Sequence, residues 1–308
     1  MDVNSLDIAF KMTPGPGGEL ADMVIDTSPI RRKWQDVPYA NQSKAQMLDI
    51  YLPEQGDGPF PVLIFVHGGA YIFGNKRDSQ FLHAIGGIKH GYAVVSVEYR
   101  LATEAQFPYP LFDVKAAIRF LRAHAKEYML DPDRFALSGD SAGGFYTALA
   151  AATQDIPGYE DKTQGNAEYS SKVQCAVTWY GCFDFLKMIP EGEEKPETQA
   201  AGPAFPDVRA MLLGAPPKQI SGLVYFTNAV NFITDKLPPM LIQHGDGDMI
   251  VPVSQAFELY DKITEVCGPE RAELEIFKGW NHGGVCLDWY EQKNQTHVYE
   301  FLDKHLKK

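Results

Sequence analysis

Between Trp34 and the C-terminus, short apolar runs rich in β-branched residues alternate with longer segments of helical periodicity. No other feature restricts the fold as much, because this is the pattern of parallel strands joined by crossover helices. Segments 47–52, 62–66, 93–97, 135–138, 175–180, 240–244 and 274–277 read as strands. Several are near-continuous apolar runs, as strands covered on both faces must be. Helices are expected over 112–126, where Val114, Ala117, Ile118 and Leu121 recur at helical spacing, and over 142–152, 252–266 and 288–306. The expected architecture is a single α/β domain over residues 1–308, a mostly parallel sheet sandwiched by helices.

Two stretches break the rhythm. Residues 1–30 carry the breaker cluster Pro14-Gly15-Pro16-Gly17-Gly18 and little periodicity, so they are expected to form an arm over the main body or to be loosely ordered. Residues 183–237 contain Pro190, Pro196, Pro203, Pro206, Pro216 and Pro217 together with the acidic Glu191-Gly192-Glu193-Glu194. A proline-rich interruption of this length inside a compact domain is expected to be a small lid.

Composition excludes several classes of partner. Lys plus Arg number 28 against 40 Asp plus Glu, a net charge of −12, which disfavours nucleic acid and anionic membrane. The expected partner is a small molecule or a polymer end. No run of about 18 apolar residues is present. The first residues, Met1-Asp2-Val3-Asn4-Ser5-Leu6-Asp7, lack a basic cluster leading into an apolar stretch, so the reading is cytoplasmic. Cys175, Cys182, Cys267 and Cys286 lack metal-type spacing and are expected to be reduced, buried thiols, with no metal site.

One turn carries chemistry. Gly139-Asp140-Ser141-Ala142-Gly143 lies between the apolar run Phe135-Ala136-Leu137 and the helix-forming run from Tyr146 to Ala151. A serine between glycines on a strand-to-helix turn projects its hydroxyl from the sheet and aims the following N–H at a reacting carbonyl. Such a serine needs a base and an orienting carboxylate. His282, in Trp280-Asn281-His282-Gly283-Gly284 after the last strand, supplies the base. The loop His244-Gly245-Asp246-Gly247-Asp248 offers two aspartates for the third role. After the strand at 62–66, His67-Gly68-Gly69-Ala70 is suited to present backbone donors, so Gly68, Gly69 and Ala142 are the expected oxyanion hole and His67 a brace for the loop. Tyr71, Ile72, Phe145, Phe183 and Trp280 are candidates to line a substrate pocket.

Taken together, His67-Gly68-Gly69-Ala70-Tyr71, Glu98-Tyr99-Arg100-Leu101, the Ser141 turn with Gly144, His244-Gly245-Asp246-Gly247-Asp248 with Val251-Pro252, and His282-Gly283 resemble the α/β-hydrolase esterases. Within them the chain is most similar to the carbohydrate-esterase and feruloyl-esterase-like branch near hormone-sensitive lipase. The resemblance runs from about Ala45 to the C-terminus. That branch writes its acid as H-G-x-x-D-x-x-V-P, which places the acid at Asp248 and completes a Ser141, Asp248, His282 triad. Hormone-sensitive lipases proper carry a third glycine where this chain has Ala70.

The resemblance implies cofactor-free hydrolysis of short-chain or aromatic acyl esters, including acetyl or feruloyl groups on carbohydrates, through an acyl-serine. An amide-cleaving hydrolase, either an arylformamidase or a prolyl-oligopeptidase-like peptidase, is the alternative. A catalytically inactive binding protein on the same scaffold is a lesser one.

Overall fold

The computed structural model describes residues 12–13, 24–188, 207–283 and 286–307. Eight strands form one mixed sheet: β1 (Lys33–Pro38), β2 (Met47–Tyr51), β3 (Phe60–Val66), β4 (Ala93–Val97), β5 (Leu130–Asp140), β6 (Cys175–Trp179), β7 (Met240–Gly245) and β8 (Ala272–Phe277). Their order across the sheet is β8-β7-β6-β5-β3-β4-β2-β1. β3 to β8 run parallel, while β2 is antiparallel to both β4 and β1.

The helices cover both faces because alternate residues of each strand point to opposite sides. On one face Val62, Ile64 and Val66 of β3 pack with α1 (Tyr109–Ala123), α2 (Ala142–Ala152) and α3 (Ser254–Cys267). On the other, Leu63 and Phe65 pack with α4 (Thr296–Leu306) and the short helix Leu82–Ile85. Every residue of β3 and β4 is buried, and each such large apolar side chain contributes about 1.5–3 kcal/mol relative to exposure. The continuous apolar runs in the sequence are thus the central strands.

Three elements differ from the expectation. β1 was not among the expected strands: it is an edge strand, largely exposed, whose Lys-Trp-Gln-Asp-Val-Pro sequence has no long apolar run and ends in proline. α1 begins at Tyr109 rather than at 112, because Pro110 sits in the first turn, where its missing N–H costs nothing. The expected helix over 288–306 is divided into the 3₁₀ turns Leu287–Tyr290 and Gln292–Gln295 followed by α4. Tertiary hydrogen bonds hold that break: Trp289 Nε1 donates to the Asn281 carbonyl and Gln295 Nε2 to the Trp289 carbonyl, both at 2.8 Å.

Of the N-terminal stretch, Met12–Thr13 pairs with Val24–Ile25, and Ile25 and Ile30 are buried in the second core cluster. The described parts of 183–237 form the helices Val208–Leu213 and Ser221–Thr227 with short 3₁₀ turns. Residues 189–206 of the expected lid lie outside the described residues. All four cysteines are free, but only Cys175 and Cys182 are buried; Cys267 and Cys286 are half-exposed, which corrects the expectation for those two. Among the described residues no helix is long and apolar enough to cross a membrane.

Candidate active site

Five neighbouring parallel strands meet the site at their C-terminal ends, the edge at which open α/β sheets bind ligands, and four of them deliver predicted residues. β3 runs into His67, β5 into Ser141, β6 into Tyr180, β7 into the Asp248 loop and β8 into the His282 loop. Non-glycine residues at positive φ concentrate here as well: Ala70 (51°), Tyr71 (68°), Ser141 (50°) and Tyr180 (39°). Backbone of this kind costs about 1–3 kcal/mol per residue and persists where surrounding packing enforces it.

Ser141 sits between β5 and α2 with φ 50° and ψ −116°, and its side chain makes no capping bond to the helix. Its hydroxyl is 2.8 Å from His282 Nε2. His282 Nδ1 is 2.7 Å from Asp248 Oδ2, and the other Asp248 oxygen accepts the N–H groups of Ile250 and Val251 at 2.8 Å each. The carboxylate is fully buried. Burial alone would raise its pKa, yet the hydrogen bonds from His244 and His282 and their charges hold it well below the usual carboxylate range.

The two aspartates of the loop have separate places. Asp246 accepts the Gly279 N–H and so braces the turn leading to the histidine, while Asp248 touches the imidazole itself. His244, to which no motif assigns a role, lies buried 3.2 Å from Asp248 Oδ2. Only the fold reveals that contact, since His244 is an interior residue of β7. Asn281 completes the frame: its Oδ1 accepts the N–H groups of His282 and Met249 at 2.7 and 3.1 Å.

The glycine loop requires a correction. The Gly68 N–H is bound to Asp140 Oδ1 and Gln80 Oε1, both at 2.9 Å, so it is not available to an oxyanion as expected. Among the described residues no hydrogen bond is made by the N–H groups of Gly69, Ala70 or Ala142. Gly69 has φ 107°, and a Cβ there would strike the Phe73 carbonyl. His67 is buried, stacks on Tyr99 at 4.5 Å and bonds to the Gly68 carbonyl through Nδ1 at 2.8 Å. Burial works against its charge, but Glu98, 3.6 Å from Nε2, raises its pKa above the ordinary imidazole value.

Gly143 carries the approach of α2 to the sheet, because a Cβ there would collide with the Val66 carbonyl at the end of β3. Gly143→Ala is therefore expected to cost about 3 kcal/mol of stability by overpacking, read as a lower urea midpoint with unchanged m.

The five pocket candidates separate. Tyr71 and Phe145 are buried and meet edge to face at 5.6 Å, with Phe185 stacked on Phe145 at 5.0 Å. Phe183 is buried, its N–H bound to Gln255 Oε1 at 2.7 Å. Ile72 is half-exposed beside the oxyanion loop. Trp280 stacks on Phe277 at 4.3 Å and meets Trp289 edge to face at 4.9 Å. Phe73, Met249 and Ile250 are exposed apolar side chains on the loops after β3 and β7. Among the described residues no group of His, Cys, Asp and Glu is placed to hold a metal ion.

This geometry can be set beside known proteins. The profile of the BD-FAE family matches residues 48–263. A probable carboxylic ester hydrolase, LipM, of Mycobacterium tuberculosis (strain ATCC 25618 / H37Rv) is 31% identical over 234 residues, 75% of this chain and 52% of that protein. The chain spans about half the length of the curated relatives it matches. In structure it is similar to a truncated form of a carbohydrate esterase from gut microbiota, with a TM-score of 0.78 and 27% identity over 90% of this chain and 96% of that one. It is also similar to a bifunctional GH43-CE protein of Bacteroides eggerthii, with a TM-score of 0.79 and 26% identity, covering 89% of this chain and 35% of the other. The strand order and these neighbours give the chain the α/β-hydrolase fold.

Proposed function

The chain belongs to the BD-FAE family, and from that premise we propose that it is a serine ester hydrolase acting through an acyl-serine. The observation that carries this reading is the unbroken chain of hydrogen bonds from Ser141 through His282 to Asp248. His282 Nε2 takes the hydroxyl proton as Ser141 Oγ attacks the ester carbonyl. Asp248 fixes the imidazole with its proton on Nδ1 and stabilises the imidazolium that forms. The N–H groups of Gly69, Ala70 and Ala142 receive the oxyanion, Ala70 replacing the committed Gly68. His282 returns the proton to the leaving alcohol, then activates the water that releases the acid.

Similarity to a carbohydrate esterase supports short-chain or aromatic acyl esters as substrates, including acyl groups on carbohydrates. Tyr71, Phe145 and Phe183 form the acyl side of the site, with Ile72 and Trp280 toward its mouth. The described parts of 183–237 act as a cap, with Phe185 meeting Tyr71 edge to face at 5.7 Å. A substrate panel tests the reaction: p-nitrophenyl acetate, butyrate and octanoate, methyl ferulate, an acetylated xylo-oligosaccharide, N-formylkynurenine and dipeptide amides. The expected result is turnover of the short acyl or aromatic acyl esters with the amides at background. Cleavage of the N-formyl compound or of peptides ahead of every ester would replace this reading with the amide-cleaving one.

A further inference from the structure

Beneath the proposed triad lies a buried polar junction that the acyl-transfer steps do not use. Tyr180 follows β6 directly and is buried. Its hydroxyl is 2.7 Å from His83 Nε2 and 3.2 Å from Asp140 Oδ2, and the Tyr290 hydroxyl is a third neighbour. A phenol has one proton to give and two lone pairs to fill. With Asp140 ionised, Tyr180 donates to it and accepts from His83. Burial holds His83 neutral, with its pKa down to about 3, so the imidazole proton lies on Nε2 in that state.

The junction reaches both the donor side and the base side of the chemistry. Asp140, the residue before the nucleophile, uses its other oxygen to hold the Gly68 N–H at 2.9 Å, which ties down the loop carrying Gly69 and Ala70. The Tyr180 ring lies 4.7 Å from the His282 ring, and its hydroxyl is so close to Gly283 that a Cβ there would collide with it. Two side chains therefore touch the oxyanion loop, the nucleophile turn and the base loop, which are far apart in sequence.

We propose that Asp140 and Tyr180 are a positioning pair that sets the oxyanion loop and the His282 loop in common register with Ser141, an assignment that rests on the ester-hydrolase reading. Filling the space would need only an apolar side chain, whereas a buried carboxyl is costly without partners. Burial first, and the Asp78 charge second, push Asp140 up to about 7, while His67, the Gly68 N–H and Tyr180 oppose the rise. Asp78 is itself raised by burial. Near neutral pH the junction can therefore reverse: a protonated Asp140 donates to Tyr180, which still accepts from His83 Nε2 and turns its own proton toward the Tyr290 hydroxyl.

Two measurements test the pair. In the first, Tyr180→Phe lowers kcat for p-nitrophenyl acetate by about 10–100-fold with KM within about twofold, because displaced donors and base act on the transition state. Asp140→Asn keeps an acceptor for Gly68 and a donor for Tyr180, so it loses less activity than Tyr180→Phe. The double variant falls no further than Tyr180→Phe alone. Wild-type kcat in Tyr180→Phe, or losses that multiply in the double variant, would overturn the proposal.

The second measurement needs neither activity nor the Tyr180 variant. In ¹⁵N-glycine-labelled protein the Gly68 amide resonance should shift in a titration centred near pH 7, Gly283 should share that midpoint beside any response to its neighbour His282, and the shared component should vanish in Asp140→Asn. A Gly283 resonance that ignores the titration overturns the pair. Absence of esterase activity in the wild type would instead overturn the reading of function and leave this outcome to decide.

Discussion

Ser141→Ala is expected to remain folded and to lose ester hydrolysis by about 10⁴-fold or more, to the level that binding and backbone donors alone provide. The folded state should survive because the Ser141 side chain makes no capping bond to α2 and contributes only its contact with His282. His282→Ala should lose a comparable factor. The double variant should be no worse than either single one, since the proton acceptor has no task once the hydroxyl is gone. Initial rates with p-nitrophenyl acetate, beside circular dichroism and thermal midpoints for each variant, make the comparison. A Ser141→Ala protein retaining a tenth of the wild-type rate would remove Ser141 from the nucleophile's role.

Asp248→Asn is the second large effect, about 10³–10⁴-fold in kcat with KM little changed, because an amide leaves the imidazole in the wrong tautomer and its charged form unsupported. Asp246→Asn, two residues earlier in the same loop but bonded to Gly279 instead, should lose no more than about tenfold. Equal losses at the two positions would contradict the division of roles. The pH dependence of stability checks the same residue. The folded-state pKa of Asp248 lies below its ordinary value of 3.8, so its contribution is fully present above about pH 4 and is lost as pH falls toward the folded value. The difference in thermal midpoint between wild type and Asp248→Asn should accordingly shrink as pH falls below 4.

What was legible in the sequence and what was not follow a physical division. β3, β4 and β7 were visible because strands covered on both faces must be largely apolar. Ser141 was visible because the turn needs glycine where α2 meets the end of β3. His282 and the Asp248 loop followed from where parallel strands place their C-terminal ends. β1 was not visible, since an exposed edge strand needs no apolar pattern. Nor was the breaking of the helix before α4, which Trp289 and Gln295 enforce through bonds to residues set by the fold.

The misassigned Gly68 shows the same limit more sharply. Its position after β3 made it look like a donor, and its N–H is indeed oriented by the loop, but a carboxylate 72 residues along the chain occupies it. No local pattern announces that Asp140 turns back toward the glycine loop. The contacts of His244 with Asp248 and of Tyr180 with Gly283 are hidden for the same reason. Sequence motifs identified the residues that face the reacting atoms; the residues behind them became identifiable only once the strands were laid side by side.

The central claim, acyl transfer through Ser141, is tested most directly by trapping the covalent intermediate. Rapid acid quench of wild-type protein turning over p-nitrophenyl acetate, followed by peptide mass analysis, should find a single acetyl adduct on the peptide carrying Ser141, absent from Ser141→Ala. Steady turnover with no adduct at Ser141, or with an adduct on another residue, would contradict it.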